Sequence, residues 1–73
     1  MENSELVFKI LSSVPARVMA TGTWEDVARS VKEAIDYHLA EIGMPHGSAT
    51  ARGIRTASTN IAKTAWLEIK GIK

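Results

Sequence analysis

The chain has 73 residues, about half a typical domain, so it is read as one domain over 1–73 with a single hydrophobic core. Apolar residues make up 45% of it and the formal net charge is +1, a globular balance that excludes a disordered chain. The absence of cysteine excludes disulfide staples and thiolate metal sites, and a cytoplasmic setting is the simplest expectation.

The apolar stretch from Leu6 to Leu11 is interrupted by Lys9 and preceded by Glu2 and Glu5, where a signal peptide carries basic residues. No run approaches the roughly 20 apolar residues of a membrane span, so no membrane role is expected. Over residues 6–12, Leu6, Phe8 and Ile10 alternate with Val7, Lys9 and Leu11, which predicts a strand. Ser12, Ser13 and Pro15 punctuate the chain, and Ala16 to Thr21 reads as a second, shorter strand with Val18 and Met19 on opposite faces.

Thr23 is a good N-cap, and Glu25 and Asp26 follow in the first turn, where the helix dipole favours acidic groups. Trp24, Val27, Ala28, Val31, Ala34, Ile35, Leu39 and Ile42 then keep the helical period, predicting an amphipathic helix to about Ile42. Gly43 suits the left-handed C′ position, and Pro45 stops any continuation.

Residues 46–73 divide the reading. Ile54, Ala57, Ile61, Ala65 and Ile69 fall near one helical face, but Thr56, Ser58, Thr59 and Asn60 are indifferent helix formers, and Ala65, Leu67 and Ile69 alternate with Trp66, Glu68 and Lys70. The balance favours a loop or short turn followed by a C-terminal strand, with room for a further strand near Ile54. The expected fold is therefore α+β: a short antiparallel sheet packed on one amphipathic helix.

Charge is sorted along the chain. Residues 23–43 carry Glu25, Asp26, Glu33, Asp36 and Glu41 against Arg29 and Lys32, a net of −3, and residues 44–73 carry Arg52, Arg55, Lys63, Lys70 and Lys73 against Glu68, a net of +4. Each patch is either an ordinary solvated face or a surface that steers a charged partner. Among the aromatics, Phe8 and Trp66 are expected in the core and Trp24 at the helix start, while Tyr37 is the best candidate for an exposed contact. The candidate partner-binding residues are thus Glu33, Asp36 and Tyr37 on the helix, with Arg52, Arg55, Lys63 and Lys70 beyond it. Five cations over about twenty residues make a thin phosphate track, so nucleic acid is the weaker alternative.

No catalytic pattern emerges. His38 and His46 have no ligand companion at a usable spacing, so no metal site is expected. Gly43, Gly47 and Gly53 are scattered without a lysine-serine or lysine-threonine ending and make no phosphate loop. Hydroxyls and imidazoles are present, but no spacing selects a nucleophile and its base. Neither an enzyme nor a cofactor is expected. The ribbon-helix-helix spacing is not matched, and Gly43-Met44-Pro45 is a poor helix-turn-helix corner.

In size and general character, a cysteine-free chain with one well-capped helix and segregated charge, the whole sequence resembles the small phage-encoded inhibitors of bacterial RNA polymerase. That resemblance implies a non-catalytic regulator that binds and inhibits a larger host complex by protein contact. Ala20-Thr21-Gly22-Thr23 leading into an alanine-containing amphipathic helix, over Ala20 to Glu41, is also similar to HicB-type antitoxins, although the Pro-x-x-Pro-Gly-Cys-like stretch of that family is missing before it. The alternative reading is a dimeric DNA-binding repressor or antitoxin, in which the basic segment would set Arg52, Arg55 and Lys63 on phosphates.

Overall fold

The computed structural model describes residues 3–71, and among them every regular element is a helix: α1 (Asn3–Ser12), α2 (Ala16–Thr21), α3 (Trp24–Glu41) and α4 (Ala49–Lys70). The expected α+β fold is therefore corrected to a small all-α domain. No strand forms at 6–12, at 16–21, near Ile54 or at the C-terminal end of the described chain.

The correction at α1 turns on one pair of residues. Strand and helix periods over this short window share Leu6 and Ile10, and they differ in whether Phe8 or Val7 joins them. The buried residues are Leu6, Val7 and Ile10, whereas Phe8 is 71% exposed. Pro15 then supplies an extended residue before α2, a position where its missing N–H is not needed. α2 closes on Gly22, whose N–H donates to the Val18 carbonyl at 2.8 Å. A Cβ on Gly22 would lie 2.6 Å from that same oxygen, so only glycine fits the corner.

α3 matches its expectation. Asp26 N–H donates to Thr23 Oγ1 at 3.3 Å and Thr23 N–H donates to Asp26 Oδ2 at 3.2 Å, a reciprocal capping box. At the other end Gly43 takes φ +71°, and Met44 N–H reaches back to the Leu39 carbonyl at 2.9 Å, which satisfies carbonyls the helix end leaves free.

α4 replaces the loop and strand expected for 46–73. Ser48 caps it by accepting from Ala51 N–H at 3.1 Å, and its buried residues Ala51, Ile54, Ser58 and Ala62 form one helical stripe. Thr56 and Asn60 point to solvent. Their weak helix preference, a few tenths of a kcal/mol each, is outweighed by burying that stripe.

α3 and α4 form an antiparallel hairpin, with Asp36 beside Arg55 near one end and Trp24 beside Trp66 near the other. α1 packs on both helices and completes a core centred on Ile10, Val27, Val31, Ile35, Leu39 and Ile54. α2 closes the far end, where Trp66 Nε1–H donates to the Gly22 carbonyl at 3.1 Å and Lys70 Nζ to the Ala20 carbonyl at 3.0 Å. Among the described residues no helix is long and apolar enough to cross a membrane.

Candidate interaction surfaces

The acidic helix and the basic segment that follows it are not two free patches. Asp36 on α3 accepts from Lys32 Nζ at 3.0 Å and from Arg55 Nη2 on α4 at 3.0 Å, and His46 Nδ1 of the connecting loop lies 3.6 Å away. The Lys32 hydrogen bond, followed by that from Arg55, holds the Asp36 carboxyl below its ordinary value, against a smaller opposing effect of burial. Two predicted partner-binding residues, Asp36 and Arg55, thus bind each other across the hairpin.

The remaining predicted cations also make internal contacts. Arg52 Nη2 donates to the Gly47 carbonyl at 3.2 Å, Lys63 Nζ stands 5.2 Å from the centroid of the Trp24 ring, and Lys70 holds the α2 backbone.

Glu33 and Tyr37 are placed differently. Both line a groove between the α1–α2 corner and α3, together with Ser13, Pro15, Ser30 and Ala34. Tyr37 is 65% exposed, as its position off the apolar stripe predicts, and its ring meets His38 edge-on at 5.3 Å. Ser30 also lines a second recess, with Arg17, Val18, Thr21, Gly22, Asp26 and Arg29.

Ser13 Oγ lies 2.9 Å from His38 Nε2, a pair that superficially suits nucleophilic catalysis. Ser13 also donates its hydroxyl proton to the Lys9 carbonyl at 2.9 Å, so His38 must present Nε2–H to it. An activated serine needs the reverse arrangement. The pair ties the end of α1 to α3. Among the described residues, no group of three or more His, Cys, Asp or Glu side chains is placed to hold a metal ion.

A second surface was missed by the strand reading of 6–12 and 46–73. A groove between α1 and α4 is lined by Asn3, Ser4, Val7, Gly53, Ile54, Ala57 and Ile61, and a shallow continuation follows Ile61, Thr64, Ala65 and Glu68 along α4. Ile61 is 50% exposed, and Phe8, expected in the core, is 71% exposed on α1 and does not line this groove. Helical phasing of 4–8 and 53–68 would have found this face.

Comparison with protein-family models, with curated proteins and with solved structures returns no match for this chain.

Proposed function

We propose that this chain is a non-catalytic regulator that acts by protein contact, docking on a larger assembly through the groove headed by Glu33 and Tyr37. The observation that carries the reading is an aromatic ring 65% exposed on α3, one turn from a carboxylate that makes no ion pair among the described residues. Tyrosine offers large contact area at small entropic cost, and a neighbouring carboxylate selects a cationic or donor-rich surface. The partner we propose is bacterial RNA polymerase, the target implied by the resemblance to small phage-encoded inhibitors.

Transcription by purified bacterial RNA polymerase, with the chain titrated in, tests both parts. Wild type is expected to inhibit, and Tyr37→Ala and Glu33→Lys are each expected to raise the half-inhibitory concentration about tenfold or more. Absence of binding and inhibition by wild type overturns the choice of polymerase. Inhibition that survives both substitutions at full strength overturns the choice of groove.

A further inference from the structure

Most of the protein's cations are already occupied. Lys32 and Arg55 hold Asp36, Arg52 and Lys70 hold backbone carbonyls, and Lys63 stands over the Trp24 ring. Among the described residues that leaves Lys9, Arg17 and Arg29, none of which makes an ion pair. The two arginines line one recess, Arg17 from α2 and Arg29 from α3, with Ser30 beside them. Ser30 is unused as well. Ser13, Thr21 and Thr64 turn their hydroxyls onto the carbonyl four residues earlier, whereas the half-buried Ser30 hydroxyl has no partner among the described residues. Two guanidinium forks and a hydroxyl without a protein acceptor suit an anion with several oxygens.

We infer that this recess binds a single phosphate-monoester dianion, inorganic phosphate or a small phosphorylated molecule, with Arg17 and Arg29 donating from the α2 and α3 walls and Ser30 adding a hydroxyl donor. A carboxylate has two oxygens, which one guanidinium fork saturates. A phosphate monoester offers three oxygens and close to two charges, enough for both forks and the hydroxyl. Asp26 lines the same recess, with its Oδ2 turned to the Thr23 N–H at 3.2 Å, and it lowers the charge there to a net of +1. Glu25 and Glu33 are exposed on the same helix. These carboxylates repel a polyanion such as nucleic acid or an anionic bilayer, while one compact anion needs only the arginines at short range. Both arginines are exposed, so the site is weak, with a dissociation constant of roughly 1–10 mM.

Titration of the chain with inorganic phosphate at about pH 7.5, followed by proton–nitrogen NMR of the Arg17 and Arg29 Nε–H groups, tests the site, with ionic strength held near about 0.15 M so that screening is constant. Saturable shifts of both groups are expected. Acetate should bind about fivefold more weakly or worse, and so should dimethyl phosphate, which carries the charge of a nucleic-acid or lipid diester. Arg17→Gln and Arg29→Gln should each weaken phosphate about fivefold or more, whereas Arg52→Gln, an equal change of net charge outside the recess, should cost less than about twofold. Asp26→Asn keeps an oxygen for the Thr23 N–H and should tighten binding about twofold or more, beyond the effect of Glu25→Gln. No ion pair ties either arginine to the fold, and circular dichroism should show unchanged helix in both variants. Tyr37→Ala should leave phosphate affinity unchanged, so this site stands or falls apart from the proposed partner groove. Shifts that do not saturate, equal affinity for acetate or dimethyl phosphate, equal weakening by Arg17→Gln and Arg52→Gln, or weaker binding in Asp26→Asn or Tyr37→Ala would each overturn the inference.

Discussion

Ser58 is fully buried at the middle of α4, and its hydroxyl has no hydrogen-bond partner. A desolvated donor without an acceptor is destabilising, so the small volume of the side chain, not its polarity, suits the site. Ser58→Ala should hold or raise stability, by up to ~1 kcal/mol, and Ser58→Ile should lower it by ~1–3 kcal/mol through overpacking. Urea midpoints of the two variants give the comparison. Asp36 sets a different dependence. Its folded carboxyl titrates below the ordinary 3.8, chiefly through Lys32 and then Arg55, so the unfolded chain takes up the proton first. The stabilisation is present above the unfolded value and lost as pH falls through the folded one. Asp36→Asn should lower stability at pH 7 by ~0.5–1 kcal/mol and flatten the stability-against-pH curve below about pH 4, as measured by denaturation across pH 2–7.

At the scale of elements, the strength of local signals decided what was legible. α3 could be read because three independent features agree: a capping box, a stripe of buried apolar positions and a left-handed glycine stop. Thr23→Ala removes the first of them and should lower stability by ~1 kcal/mol in thermal or urea melts. α1 and α2 have 10 and 6 residues, too few for a helical stripe to separate cleanly from alternation. α4 has length but carries threonine, serine and asparagine through its middle, and its helicity comes from burial against α3 and α1, which no local window contains. The candidate site divides along the same line. Tyr37 could be placed at the surface from its position off the α3 stripe. The Asp36–Arg55 contact spans 19 residues and requires the hairpin to be known first. The exposure of Phe8 depended on α1 being a helix at all.

Across the whole molecule, stability is unevenly distributed, and α2 is its weak end. This helix is too short to persist alone and contains no fully buried residue. Val18 and Met19 pack partly against the core, and Trp66 and Lys70 of α4 hold the Gly22 and Ala20 carbonyls. α3, by contrast, buries Val27, Val31, Ile35 and Leu39 almost completely. Opening α2 therefore exposes little apolar surface, whereas opening α3 requires global unfolding. Native-state hydrogen exchange should show the Ala20, Thr21 and Gly22 amides exchanging about 100-fold or more faster than those of Val31 and Ile35. Trp66→Phe removes the indole donor while keeping an aromatic ring beside Trp24, so it should speed α2 exchange a further ~5-fold. The same substitution should change exchange in the middle of α3 much less. Equal protection in α2 and α3 would instead mean that the corner opens only with the entire fold, and that the Trp66 and Lys70 contacts hold it far more tightly than two hydrogen bonds at a helix end imply.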